Sequence, residues 1–224
     1  MERTEDRAAS ELRESGKGEA ARAAAEIVAD GMLVGLGTGT TVAHLLPALA
    51  ARELDIRCVA TSPQTESQAR ALGLRVEPFA ELPHLDIAID GADQVSADLW
   101  LTKGGGGAHT REKLVACAAD RFVVIVDESK LVDALTPPVA LELVPFGVAG
   151  TLARLGSARL RDVPPSPDGG LIADYLDDFA DPAALAERLS CTPGVVEHGL
   201  FPAAMVSAVA VGGAGGARWL ERGR

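Results

Sequence analysis

Short apolar segments alternate with longer segments of helical periodicity along the first half of the chain. The apolar segments predict strands at residues 33–36, 56–60, 75–76, 87–90 and 122–126. The longer segments predict helices at residues 17–29, 41–51, 63–72 and 110–119, after a charged leader or helix start in residues 1–15. Apolar strands that alternate with helices predict a parallel sheet covered by helices on both faces.

The pattern changes after Thr136-Pro137-Pro138. Strands are predicted at residues 139–144, 158–163, 171–176 and 195–198, with helices at 148–155 and 182–189. This β-α-β-β-α-β order is that of the ferredoxin-like split βαβ. A last strand at residues 205–211 returns to the first sheet, before a glycine-rich tail at 212–216. The sequence therefore predicts an α/β fold: a doubly wound, mainly parallel (Rossmann-like) sheet of residues 1–135 and 205–224, with an inserted ferredoxin-like α+β domain of residues 136–204.

Composition narrows the classes of partner and location. The net charge is −11, which argues against nucleic acid or an anionic membrane as a partner. No apolar run approaches the ~18 residues of a membrane span, and the charged start does not resemble a secretory signal. Cys58, Cys117 and Cys191 are odd in number and widely spaced, which predicts reduced core residues of a cytoplasmic protein. No His/Cys cluster has metal-ligand spacing, so no metal and no cofactor are predicted.

A glycine turn follows the strand at residues 33–36 and leads into a helix. The turn and the first residues of that helix read Gly37-Thr38-Gly39-Thr40-Thr41. A helix N-terminus offers unpaired N–H groups and partial positive charge, so the segment suits a phosphate. A dinucleotide turn fits poorly, because Thr40 stands where the third glycine belongs and no acidic residue follows the next strand. A plain strand–helix turn remains the alternative.

Two further segments place charged groups beside glycine. Asp90 ends an apolar strand, Gly91 permits a turn and Asp93 follows, at the strand end where α/β proteins bind ligands. Carboxylates held close together there tend to have unlike pKa values, although Asp-Gly is also an ordinary turn. Lys103 precedes four glycines, and Glu112 comes nine positions later at a predicted helix start. A cation and a carboxylate flanking a bare loop predict a small-molecule site where charge is moved.

Taken together, these segments resemble ribose-5-phosphate isomerase of the A type. The matching motifs, in order, are Gly37–Thr41, Asp90–Asp93, Lys103–Gly106 with Thr110–Lys113, Asp127–Lys130, and the closing Gly199-Leu200-Phe201. The chain departs from the family pattern at Gln94, at His109 and in the 166–170 turn. His109 lies in a usually aliphatic position, and we expect it at the rim of the site or as an acid–base group.

The resemblance implies an enzyme that interconverts D-ribose 5-phosphate and D-ribulose 5-phosphate through an enediolate, in the non-oxidative pentose phosphate pathway. It implies Glu112 as the base, Lys103 as the oxyanion partner, and Asp90 with Asp93 for hydroxyl binding and proton transfer. It also implies a cytoplasmic homodimer. The substrate-binding residues implied are Lys17, Thr38, Gly39, Thr40, Thr41, Asp90, Gly91, Ala92, Asp93, Lys103, Gly104, Gly105, Gly106 and Lys130.

The sequence leaves other functions open. The chain could be a non-catalytic sugar-phosphate regulator that keeps the pocket, or an isomerase for a different aldose phosphate. A coenzyme A transferase on a related fold would use a glutamate as nucleophile, but it needs room for a large carrier, which a chain of 224 residues makes unfavourable.

The absence of metal-ligand spacing generates a first prediction. Turnover of ribose 5-phosphate survives exhaustive chelation by EDTA and needs no added nucleotide, because a carboxylate base and a lysine suffice for enediolate chemistry. Initial rates before and after chelation check this. Activity lost with EDTA and restored by one divalent ion would instead assign Asp90 and Asp93 to metal binding.

Overall fold

The structure is a computed structural model and describes residues 2–221. Its helices are α1 (Glu2–Glu26), α2 (Thr40–Ala50), α3 (Pro63–Ala71), α4 (His109–Ala118), α5 (Val148–Leu155) and α6 (Pro182–Ser190). Its strands are β1 (Leu33–Leu36), β2 (Arg57–Ala60), β3 (Arg75–Val76), β4 (Leu85–Asp90), β5 (Gln94–Ser96), β6 (Leu101–Thr102), β7 (Ala119–Asp127), β8 (Leu131–Val132), β9 (Val139–Leu143), β10 (Ala158–Leu160), β11 (Leu171–Tyr175), β12 (Val195–His198), β13 (Leu200–Phe201), β14 (Val206–Gly213) and β15 (Gly216–Leu220).

The main sheet has seven strands in the order β15-β14-β7-β4-β1-β2-β3. All neighbours are parallel except β15, which forms an antiparallel hairpin with β14. The strand order reverses direction at β1 and β4, because β2 and β3 extend to one side and β7 and β14 to the other. This arrangement is a doubly wound sheet, and it confirms the predicted α/β class.

Side chains of the central strands alternate between two apolar layers. On β7, Val123 and Ile125 pack with residues of α1 and α2, whereas Val124 and Val126 pack with the layer that includes α4. A parallel strand covered on both faces is apolar throughout, which is why this segment was readable as a strand. Small residues Ala20 and Ala24 let α1 approach its face of the sheet closely.

The second sheet has four strands in the order β10-β11-β9-β12, with antiparallel pairs throughout. The chain order β9-α5-β10-β11-α6-β12 is the predicted β-α-β-β-α-β. Its own apolar cluster includes Leu141, Leu143, Tyr175 and Leu189. The ferredoxin-like topology predicted from the strand pattern is therefore confirmed.

A third, small sheet was not predicted. It has the order β13-β6-β5-β8, and its strands are only two or three residues long. Strand β13 comes from residues 136–204 and pairs with β6 from the first segment. The two segments thus share a sheet, and the division of the chain at residues 135 and 205 stays a prediction.

Several sequence predictions need correction. The glycines at 212–216 end β14 and turn into β15 instead of forming a tail. Cys117 and Cys191 are exposed, and only Cys58 is a core residue. Cys117 lies on the outer face of α4, beyond the exposed Leu114, and Cys191 caps α6. Within residues 2–221, no helix has both the length and the apolarity to cross a membrane.

Candidate active site

The candidate site lies at the carboxyl ends of β1 and β4, where the strand order reverses. Gly37 follows β1 and donates its N–H to Ile89 O at 2.9 Å. A Cβ at Gly37 would lie 1.9 Å from Asp90 Cγ, so only glycine lets the Asp90 carboxylate lie against the end of β1. Asp90 Oδ1 accepts the N–H groups of Thr38 (3.1 Å) and Gly91 (2.7 Å). The Asp90 carboxylate therefore fixes both the turn after β1 and the turn after β4.

A buried ammonium group lies between two buried carboxylates. Lys103 Nζ is 3.0 Å from Asp90 Oδ2 and 3.1 Å from Glu112 Oε2, and it donates to Gly91 O at 2.5 Å. All three residues are at most 5% exposed. The Phe201 ring lies against the same ammonium, 5.6 Å from Nζ to the centroid. With all three groups ionised, the cluster has one more negative than positive charge.

This arrangement shifts the pKa values of its members. Burial, followed by repulsion from Asp90, raises the pKa of Glu112 from 4.5 to about 8, against the attraction of Lys103. Burial also raises the pKa of Asp90, again against the attraction of Lys103. Burial acts to lower the pKa of Lys103, but the two carboxylates outweigh it and leave a net upward shift. The ammonium is thus held protonated while Glu112 can exchange a proton near neutral pH.

The glycine loop passes between Lys103 and α4. Gly104 has φ +98°, and a Cβ there would lie 2.6 Å from Ala140 Cβ and 2.7 Å from His109 Nδ1. Gly105 donates its N–H to Asp93 Oδ2 at 2.8 Å. The bare loop therefore packs closely on its inner side and leaves room for a ligand on its outer side.

The opposite end of the cleft suits an anion. Helix α2 begins at Thr40, and Gly39 at its N-cap provides no side-chain hydrogen bond to the first turn. Lys130 lines the same cleft. Unpaired N–H groups of a helix N-terminus and one lysine are a suitable environment for a phosphate group.

Most of the residues predicted for the site share this one cleft. It is lined by Thr38, Gly39, Thr40, Thr41, Gly91, Ala92, Asp93, Lys103, Gly104, Gly105, Gly106, Glu112 and Lys130. Asp90 lies beneath the lining and contacts Lys103 instead of facing the cleft. Lys17 lies outside the lining, where its Nζ is 2.5 Å from Glu14 on the same helix. The structure thus gives no cleft contact for Lys17, and its role in phosphate binding stays a prediction.

His109 differs from expectation. We expected it at the rim or as an acid–base group, but it is 0% exposed, because the positive φ of Gly104 folds the loop over the ring. Both ring nitrogens lack a hydrogen-bond partner within residues 2–221. Burial, followed by the charge of Lys113, lowers the pKa of His109 to about 4. The neutral ring therefore packs beneath the loop and does not reach the rim of the cleft.

Phe201 was noted in the sequence only as part of a closing motif. Its ring lies between two buried ammonium groups, 5.6 Å from Lys103 Nζ and 4.9 Å from Lys113 Nζ. The pairing of β13 with β6 brings it there, and strands of two residues leave no periodic signal in a sequence. Its position beside Lys103 was therefore beyond prediction.

One group of potential metal ligands occurs among the described residues. His84, Asp86 and Asp120 lie together at the amino ends of β4 and β7, at the sheet edge opposite the cleft. Asp86 Oδ2 accepts the Leu33 N–H at 2.7 Å, and His84 Nε2 is 2.9 Å from Asp120 Oδ1. This group does not contact the cleft.

Comparison with known proteins decides the family. Residues 57–216 match the model of ribose 5-phosphate isomerase A (phosphoriboisomerase A). Ribose-5-phosphate isomerase A of Methanosarcina acetivorans is 47% identical over 195 residues, covering 80% of this chain and 83% of that protein. The chain belongs to the ribose 5-phosphate isomerase A family. The family resemblance inferred from the motifs is confirmed, and the matched range contains Asp90, Lys103 and Glu112.

Solved structures of this isomerase family share the fold. The structure of ribose 5-phosphate isomerase A from Methanocaldococcus jannaschii has a TM-score of 0.85 and 36% identity, covering 92% of this chain and 97% of that one. A D-ribose-5-phosphate isomerase in complex with phospho-erythronic acid has a TM-score of 0.86 and 34% identity, with coverage of 92% and 97%.

The raised pKa of Glu112 generates a prediction about stability. The folded protein holds this proton more tightly than the unfolded chain, so ionisation opposes folding, and stability contributed by the neutral form is lost as pH rises from 4.5 to about 8. Glu112→Gln cannot ionise. We expect its free energy of unfolding to gain on that of wild type across this pH range, by at most about 1.4 kcal/mol per pH unit, and its thermal midpoint to rise relative to wild type accordingly.

Glu66→Gln provides the matched control for this measurement. Glu66 is also in the first turn of a helix, but its side chain is 47% exposed and pairs with Arg70. We expect Glu66→Gln to lower the free energy of unfolding by no more than about 1 kcal/mol. Its stability relative to wild type should not increase as the pH rises. A Glu112→Gln variant that behaves like this control would show that Glu112 is an ordinary first-turn glutamate.

Proposed function

We propose that this chain interconverts D-ribose 5-phosphate and D-ribulose 5-phosphate through an enediolate, with Glu112 as the base. The observation that carries the proposal is the buried Lys103 between Asp90 and Glu112, beside a cleft that a sugar phosphate can enter. A carboxylate with a pKa near neutrality and a permanently charged ammonium are what enediolate chemistry needs.

In the conversion of the aldose to the ketose, Glu112 takes the proton from C2 and returns it to C1. The electron pair left on C2 forms the enediolate double bond with C1, and the carbonyl oxygen gains negative charge. Lys103 stabilises that oxygen, and a proton moves between the two oxygens to complete the ketose. Because burial raises the pKa of Glu112 to about 8, the carboxyl can both accept and return a proton near neutral pH.

The two aspartates take different roles in this proposal. Asp93 lines the cleft, is exposed and is fixed by the Gly105 N–H, so it suits hydroxyl binding and proton transfer during ring opening. Asp90 lies below and holds Lys103. It acts on the reaction through the lysine.

The phosphate is proposed to bind the first turn of α2, with the Thr38–Thr41 segment and Lys130 around it and Lys17 approaching from the rim. The complex of a relative with phospho-erythronic acid supports this class of ligand. Phospho-erythronic acid has a phosphate at one end and a carboxylate at the other. Its carboxylate is planar and carries negative charge on oxygen, as an enediolate does.

A homodimeric state, a cytoplasmic location and a place in the non-oxidative pentose phosphate pathway belong to the same proposal. Their support is family membership. Light scattering during size-exclusion chromatography measures the molar mass and so tests the homodimer. A fully active monomer at assay concentration would contradict the proposed homodimer.

The proposed base is tested by Glu112→Gln. The glutamine keeps size and hydrogen bonding but cannot accept the proton, and general base catalysis typically supplies roughly 10²–10⁴-fold. We expect kcat to fall by at least about 10²-fold while phospho-erythronate still binds. A variant with turnover within a few-fold of wild type would refute the assignment, and Glu66→Gln should keep wild-type kcat.

The proposed anchor is tested by comparing two substrates. Free ribose lacks the group that the α2 N-terminus binds, so its kcat/KM should lie far below that of ribose 5-phosphate. Thr41→Val should mainly raise KM, because the anchor acts alike on the ground state and the transition state. Equal activity on ribose and its phosphate would exclude this anchor.

A further inference from the structure

Arg161 connects the second sheet to the glycine loop. It follows β10, and its Nη1 donates to Gly104 O at 2.8 Å and to Gly105 O at 3.0 Å. The remainder of the guanidinium pairs with Asp174 on β11, with Nε to Oδ2 at 3.0 Å and Nη2 to Oδ1 at 2.6 Å. One planar group is thus fixed by a carboxylate on one side and contacts two loop carbonyls on the other.

The two carbonyls determine where two N–H groups point. In a trans peptide the C=O and the following N–H point in opposite directions. Gly104 O faces Arg161, and the Gly105 N–H accordingly reaches Asp93 Oδ2, on the cleft side, at 2.8 Å. Gly105 O also faces Arg161, so the Gly106 N–H points away from the guanidinium as well.

The glycine loop lies between two clefts, and these show where the N–H groups point. Gly105 and Gly106 line the catalytic cleft together with Lys103 and Glu112. The same two glycines line a second cleft on the side of Arg161. The Gly106 N–H has no hydrogen-bond partner within residues 2–221. It is therefore a free donor directed towards the catalytic cleft.

We propose that Arg161, held by Asp174, is a positioning residue that directs the Gly106 N–H towards the oxyanion that forms beside Lys103. The inference rests on the proposed function. A preorganised backbone donor costs no reorganisation when charge develops, and such donors stabilise transition states more than ground states. Within the loop, Gly104 O also accepts the Gly107 N–H at 3.0 Å. Gly105 O, which lies in the same peptide as the Gly106 N–H, is held by Arg161.

The chemistry of arginine fits this role. Its fork of donors bonds a carboxylate and two carbonyls in one plane, whereas a lysine ammonium acts as a single point and cannot do both. The Arg161 and Asp174 side chains are 18% and 22% exposed. If Arg161 is replaced, the Asp174 carboxylate that remains is therefore partly exposed and not a deeply buried charge. We therefore expect its removal to change catalysis more than folding.

The test compares Arg161→Gln with Arg159→Gln. Arg159 lies on β10 two residues away and is exposed, so it controls for the loss of one arginine at the same sheet edge. Removal of one oxyanion donor typically costs 10²–10³-fold in kcat, and we expect misorientation to cost at least about 10-fold with KM changed less than about threefold. Arg159→Gln should keep wild-type values.

Inhibition separates positioning from a general structural effect. Phospho-erythronate carries a carboxylate where the enediolate oxygens lie, so its Ki should rise by the factor that kcat/KM falls. Inorganic phosphate has no such group, and its Ki should stay unchanged. Arg161→Lys should not restore kcat. Asp174→Asn should lower kcat in the same direction, and in the double variant the losses should not add.

Several outcomes would overturn the inference. These are a normal kcat in Arg161→Gln, an unchanged Ki for phospho-erythronate, or an equal loss in Arg159→Gln. If Arg161→Gln does not fold, Asp174→Asn decides, and wild-type kcat in that variant overturns the inference. Failure of the proposed function is distinguishable, because wild-type protein would then not convert ribose 5-phosphate at all.

Discussion

The site depends on one ammonium group that is shared by two buried carboxylates. Lys103 Nζ lies about equally far from Asp90 and Glu112, at 3.0 and 3.1 Å. A single positive charge cannot neutralise both acids in a dry environment, so one of them holds a proton more tightly than usual. The fold retains this unfavourable arrangement because packing elsewhere offsets it, as is common where proteins perform acid–base chemistry.

Backbone without side chains makes this close arrangement possible. Gly37 lets Asp90 lie against the end of β1, and Gly104 lets the loop fold over His109 and Ala140. The ferredoxin-like sheet then provides Arg161, whose contacts fix the loop from behind. The charges thus come from the end of β4, from the residue after β6 and from α4, and the ferredoxin-like sheet supplies the orientation.

Long periodic segments made most of this fold readable from the sequence. The apolar strands β1, β4 and β7 follow from pattern alone, and ordered motifs placed nearly all of the cleft lining. The strand order that puts the switch point between β1 and β4 was not predicted. Other features depend on tertiary contacts. Asp90 was expected to face the substrate, but which way an aspartate at a strand end turns depends on the lysine it meets. Phe201 and Arg161 lie far along the chain from the loop they contact, in segments too short or too polar to reveal their partners.

The pairing of β13 with β6 has a consequence for biosynthesis. The Lys103 N–H donates to Gly199 O at 2.8 Å, and the Gly199 N–H donates to Ala140 O at 2.7 Å. The backbone of the lysine is therefore anchored by a segment that leaves the ribosome long after the lysine itself. Such distant pairing delays folding, since a long loop must close before the contact forms. A nascent chain that already contains Glu112, Lys103 and both aspartates is consequently still without an assembled site until the segment around Gly199 has been made.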